Sequence, residues 1–195
     1  MSAFLGPIHF WLYNKIRFQE DLIDALCVRA VSEGWLTEED TQQFVSTDRR
    51  ELQDAIDESN IHGWLQGRIH DGEGRYAALV TTLLQEDANR LQTLKDVAFY
   101  TGKEKRTEVP TTAPEAFHQL DNTLLNGMPC DQDMKVTESN PDKVVWEETQ
   151  DLHSSFWNGQ GAYYYTLRAE LIKGILADSG LTFKQTDTNH YEIIK

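Results

Sequence analysis

Residues 134–146 read MKVTESNPDKVVW, and here the hydrophobic period of the chain changes to two. Met134 and Val136 alternate with polar side chains, Asn140-Pro141-Asp142-Lys143 is turn chemistry, and Val144 to Trp146 resumes a strand, so the stretch predicts a β-hairpin. Downstream, Tyr164, Leu167, Leu171 and Ile175 give a helical stripe ended by Gly180. Gly174, near the same face, would allow this helix to pack closely on a sheet. Two further strands, 181–186 and 191–194, turn through Asp187-Thr188-Asn189. The carboxyl third thus reads strand, strand, helix, strand, strand, an order that can close into a covered antiparallel sheet.

Upstream the pattern is helical. Phe4, Leu5, Ile8, Leu12, Ile16, Leu22, Ile23 and Leu26 keep one stripe until Gly34. Thr37 before Glu38, Glu39 and Asp40 is a capped start, and the acidic stretch to Glu58 reads as two short helices, the second capped by Ser46 or Thr47. Asp71 is a candidate cap for a helix of about 30 residues, roughly 45 Å long, whose seam repeats every seven residues at Ala77, Leu84, Leu91 and Ala98 and which Gly102 closes. A helix from Pro114 to Leu125 stops at Asn126-Gly127. Helices first and strands last predict one α+β domain over 1–195, with a helical layer (1–126) packed on a sheet-containing part (127–195).

Composition narrows the function. The 195 residues carry 18 Lys and Arg against 32 Asp and Glu, a formal charge of −14 that repels phosphate backbones and anionic lipid, so neither nucleic acid nor membrane is an expected partner. The apolar opening from Met1 to Trp11 lacks a basic region and a small-residue cleavage site, which makes the cytoplasm the expected compartment. Two cysteines, Cys27 and Cys130, form no disulfide framework and no CxxC.

No local metal site is expected, and one would have to be assembled from separate elements. His9, Glu20 and Cys27 share a helical stripe, but eleven residues separate the first two, about 16 Å of rise, and no HxxxH or HExxH occurs. A nucleophile has one candidate setting: Cys130 after Gly127-Met128-Pro129, with Asp151 and His153 at the end of the second strand, a workable thiolate, base and orienting carboxylate. Aromatic and thioether side chains collect at the helix-to-sheet junction, where pockets often form, and Phe117, Met128, Trp146, Phe156, Trp157 and Tyr164 are the candidate walls.

The element order resembles the ligand-binding superfamily that includes haem nitric-oxide/oxygen-binding domains, 4-vinyl reductase domains and Golgi transport subunits of Bet type, best from Ala113 to Lys195. His118 followed by Gly127-Met128-Pro129 is similar in kind and spacing to the haem-ligand histidine and Pro-containing turn of the haem members. Tyr164-Tyr165-Thr166-Leu167-Arg168 partly matches their propionate-holding Tyr-x-Ser-x-Arg. The resemblance implies a ligand-binding fold and frequent dimers, so a homodimer is an expectation. At 100° per residue, however, Ala116, Phe117, Leu120 and Leu124 share one face while His118 points away with Asp121 and Asn122, so haem through His118 is disfavoured and the cofactor is left open. The leading expectation is a cytoplasmic small-molecule-binding or sensor-like domain, with an apolar pocket between helices and sheet for a small apolar or aromatic ligand. The alternatives are a thiol-dependent or metal-assisted hydrolase using Cys130 and His153, and a non-catalytic protein-association scaffold.

Overall fold

A computed structural model describes residues 4–195. Helices α1 (Pro7–Ser32), α2 (Glu38–Thr41), α3 (Leu52–Ala55), α4 (Ile61–Glu86), α5 (Leu91–Lys105) and α6 (Ala113–Thr123) precede strands β1 (Met134–Asn140) and β2 (Lys143–Glu148). Helix α7 (Ala162–Ile175) then leads to β3 (Thr182–Gln185) and β4 (His190–Ile194). The strands form one antiparallel sheet in the order β1-β2-β4-β3, and the fold is α+β.

Alternation along the central strands explains the sheet's two faces. Val144 and Trp146 on β2 and Tyr191 and Ile193 on β4 are buried, with Trp146 opposite Tyr191 and their rings stacked at 5.6 Å. Phe117 of α6 reaches this layer, its ring 5.1 Å from that of Trp146. The opposite face is solvated and crossed by ion pairs, Lys135–Glu147 at 2.9 Å and Lys143–Glu138 at 3.2 Å. Edge strand β1 is irregular between Val136 and Glu138, which frees Thr137 to bond the Val145 carbonyl.

Three helical expectations are corrected. The long helix begins at Ile61, where the Asn60 carboxamide accepts the Gly63 N–H at 3.1 Å, and Asp71 lies inside it, 3.0 Å from Arg75. The chain leaves the helix at Asp87, whose carboxylate takes the Asn89 N–H at 2.9 Å, a local bond that competes with the helical ladder. The seven-residue seam is therefore shared by α4 and α5 across a corner. Neither Ser46 nor Thr47 caps α3, which starts after Glu51 without a side-chain cap. Thr37 does cap α2, accepting the Asp40 N–H at 3.2 Å, and Gly34 beyond α1 has φ +71°.

The third correction concerns Gly174 and Gly102. Gly174 packs on α5 rather than on the sheet: a Cβ there would overlap the Phe99 carbonyl, and a Cβ at Gly102, inside α5, would overlap the Leu171 carbonyl. The two backbones thus touch through paired hydrogen side chains. Two buried clusters result. The larger joins α1, α4, α5, α6, α7 and the sheet; the smaller gathers Leu12, Tyr13 and Ile16 of α1 with Leu52, Ile61, Leu65, Ile69, Leu125 and Met128.

Gly102→Ala should cost at least about 2 kcal/mol, because the added methyl meets rigid backbone. Gly74→Ala, in α4 with nothing within 4 Å of its Cβ position, should gain about 0.5–1 kcal/mol. Urea denaturation of both variants measures the contrast, and equal effects would remove the close-crossing account.

Candidate functional site

The cysteine-centred arrangement is not assembled. Cys130 is exposed in the 3-10 turn Pro129–Asp131 and borders a cleft of about 270 Å³ together with His9 and His62. His153 is buried elsewhere, with Nδ1 3.1 Å from the Glu73 carboxylate and Nε2 3.0 Å from the Tyr164 hydroxyl. The imidazole thus bridges the Glu73 carboxylate and the Tyr164 hydroxyl. Asp151 does not touch the imidazole; it accepts the backbone N–H groups of His153 and Ser154 and the Tyr165 hydroxyl, at 3.1, 2.9 and 2.7 Å. Burial pushes its carboxyl up, but those bonds outweigh burial and hold it at about 2. Both imidazole nitrogens are therefore engaged away from Cys130.

The six proposed pocket walls do not surround one common space. Trp146 and Phe117 pack beneath α6, Trp157 and Tyr164 pack on Tyr76 of α4 at 5.3 and 6.2 Å, Phe156 lies on His70, and Met128 belongs to the smaller cluster. The voids bordered by Tyr164 and by Trp146 are about 30 and 10 Å³, room for a water molecule at most. His118 is exposed and bonds Asn122 at 3.1 Å on the polar face of α6.

A different group of side chains does converge. Between α1, the end of α6 and the approach to β1 lies a pocket of about 150 Å³ lined by Lys15, Asn126 and Asp133, with Trp11, Met128 and Met134 as apolar wall. Its rim is a tightly specified loop. Gly127 has φ +65° and a Cβ there would strike Asp131 and Leu152; Gln132 has φ +49°; and the Asp131 carboxylate takes the Met128 N–H at 2.8 Å. The turn read from Gly127-Met128-Pro129 thus builds the pocket, although the residues that carry its polarity lie on either side of it.

Those residues are buried and incompletely paired. Lys15 is 3% exposed, with Nζ 3.5 Å from Asp121 and 3.6 Å from the centre of the Trp11 ring. Burial lowers its ammonium to about 8 against the pull of Asp121. Neither amide atom of Asn126 has a partner, and Asp133 Oδ1 has none. Behind Asp133 stands a buried ion pair, Arg168 of α7 with Glu148 of β2. Burial, and then the Glu148 charge, raise the Asp133 carboxyl to about 6, while Arg168 and His153 oppose the rise. One signal could have marked this site: Lys15, Arg168 and Glu73 each occupy a buried position on a helix stripe, one turn from Leu12, Leu171 and Tyr76. Asn126 and Asp133, in a loop without periodicity, give no such signal. Among the described residues, no three His, Cys, Asp or Glu side chains are placed to hold a metal ion.

The arrangement can bind, orient and exchange a proton. Asp133 keeps its proton to about pH 6 in the fold, whereas an unfolded chain releases it near 3.8. The folded state therefore holds more protons between those values, and this group's contribution to stability falls as pH rises from 4 to 6. Asp133→Asn should gain about 1–2 kcal/mol over wild type at pH 7 and nothing near pH 3.5, by denaturant titration at both values. A pH-independent difference would remove the raised carboxyl from the account. A scan of protein-family models, the curated proteins and the solved structures finds no match for this chain.

Proposed function

We propose that this protein is a small-molecule-binding domain whose ligand sits in the Lys15, Asn126 and Asp133 pocket at the helix-to-sheet junction. One observation carries the reading: the Asn126 carboxamide is buried with a free donor and a free acceptor. An unmet buried polar group costs about 1–3 kcal/mol, and this one lies in the wall of the pocket beside buried Lys15 and Asp133. The pocket also has the make-up of a binding site, an apolar wall with a few convergent polar groups. The formal charge of −14 favours a small molecule over a phosphate polymer as the partner. An exposed free thiol at Cys130 suits the reducing cytoplasm, and among the described residues no helix is long and apolar enough to cross a membrane.

Asn126→Leu tests this directly, since leucine keeps the branched side-chain shape and removes the unmet groups. The variant should be more stable than wild type by about 1 kcal/mol. In ligand-observed NMR against polar fragments of fewer than about ten non-hydrogen atoms, it should bind none of those that wild type binds. A destabilised variant, or one that retains the same fragments, would make Asn126 a structural residue and overturn the proposal.

A further inference from the structure

A cleft of about 700 Å³ that shares no residue with the Lys15, Asn126 and Asp133 pocket lies between α7, the end of β2 and the turn joining β3 to β4. Its floor is one face of α7, where Ala162, Tyr165, Thr166 and Ala169 recur at helical spacing. The two alanines are too short to fill the space and the Tyr165 ring is half-buried, so the floor is a largely apolar shelf. The walls are braced by hydrogen bonds that need no ligand. Asn189 Nδ2 donates to the Glu148 carbonyl at 2.9 Å, the Glu148 N–H donates to the Asn189 carbonyl at 2.9 Å, and Gln185 Nε2 donates to the Thr188 carbonyl at 3.0 Å. The cleft is therefore preformed, and its size suits an organic molecule of more than a few atoms.

Charge limits what this cleft accepts. Glu148, Asp151 and Glu170 line it, and no Lys, Arg or His does. Glu148 is paired with Arg168, and Glu170 with Lys95 and Lys173 at 3.5 and 2.9 Å. Glu148 is 4% exposed with Oε1 enclosed against Arg168, and the surface it keeps borders the cleft. Asp151 has no cation beside it. Its Oδ1 takes three bonds, from the His153 and Ser154 N–H groups and the Tyr165 hydroxyl, which fix the carboxylate in place and keep it ionised. Asp151 is exposed, and with Oδ1 taken up, Oδ2 is the oxygen left to a partner. An anion would meet three carboxylates here, and no set of three ligands gathers for a metal ion among the described residues. An ammonium group can donate to Oδ2 with the Tyr165 ring at its side, where an aromatic neighbour adds to the attraction. We propose that the cleft binds an arylalkylammonium, its ammonium donating to Asp151 Oδ2 and its ring lying on the Ala162, Tyr165 and Ala169 floor.

Three probes with one indole body separate charge from shape: tryptamine, its alcohol tryptophol, and indole-3-acetate. All three are too large for the pocket of about 150 Å³ beside Asn126, so their binding is read independently of the role proposed above. Calorimetric titration of the full chain at pH 7.5 and low salt should give tryptamine an affinity at least fivefold above tryptophol, with indole-3-acetate weaker still. The preference should shrink as added salt screens the charge. Asp151→Asn exchanges only the unbonded oxygen for an amide and retains Oδ1 for its three donors, so it should bring tryptamine down to the tryptophol level. Ala169→Leu fills the floor with every charge in place and should weaken tryptamine and tryptophol together at least fivefold. Circular dichroism checks the folding of both variants, and if Ala169→Leu does not fold, Asp151→Asn decides alone. Tryptamine no tighter than tryptophol, or indifferent to Asp151→Asn, would overturn the ammonium site. Tryptamine indifferent to Ala169→Leu would reduce its binding to a general attraction to a chain of formal charge −14 and overturn the cleft; no binding by any of the three would overturn the whole.

Discussion

Helices α5 and α7 approach so closely that each places a glycine against the other's carbonyl, Gly102 against Leu171 and Gly174 against Phe99. No other residue type fits such a crossing, and its consequence runs along α7. With Gly174 pinned against α5, the residues one and a half to three turns earlier, Tyr164 and Arg168, are carried over the sheet and into the core. Arg168 then meets Glu148 at the end of β2, Tyr164 meets His153, and His153 meets Glu73 on α4. A backbone contact free of side chains thereby sets the position of a chain of charged and polar groups. That chain spans α4, the loop before α7, α7 itself and β2.

The energetics of the chain argue for specificity more than for stability. Removing Arg168 and Glu148 from water costs several kcal/mol per ion, and their mutual attraction roughly returns that cost. Hydrophobic side chains of equal volume would hold α7 on β2 at least as firmly. What the ions add is a geometric demand: Arg168 must face β2 and His153 must sit between Glu73 and Tyr164, or a charge or dipole is stranded in a low-dielectric interior. They also place fixed charge behind Asp133, so that its carboxyl is tuned first by burial and then by charges on two other elements.

The fold was legible where periodicity carried it. The change of period at Met134 announces the hairpin, the stripe from Tyr164 to Ile175 announces α7, and the final alternation around Tyr191 announces β4. Legibility failed where a local polar bond beat a regular hydrophobic pattern, as at Asp87, whose carboxylate turns the chain although Leu84, Leu91 and Ala98 keep their spacing. It failed also for close approach. A glycine in a helix looks the same in sequence whether it faces a sheet, another helix or water; Gly174 and Gly102 each face a helix, and Gly74 faces open space. The aromatic residues were recognisable as core, but not which of them were neighbours, because Trp157 and Trp146 join the same cluster from opposite ends.

The pocket's location follows from the division of the core. Leu124 packs into the larger cluster and Leu125 into the smaller, so consecutive side chains at the end of α6 point into different hydrophobic bodies. Asn126, next in the chain, falls between them, as do Lys15, one residue before Ile16 of the smaller cluster, and Asp133, one before Met134 at the edge of the larger. Two apolar clusters that cannot merge leave a seam, and a seam is where polar side chains can be buried without displacing close-packed neighbours. A rigid loop, fixed by Gly127 and Gln132 in left-handed conformations, holds that seam open at one end. The polarity of the pocket wall is therefore a product of where the clusters part.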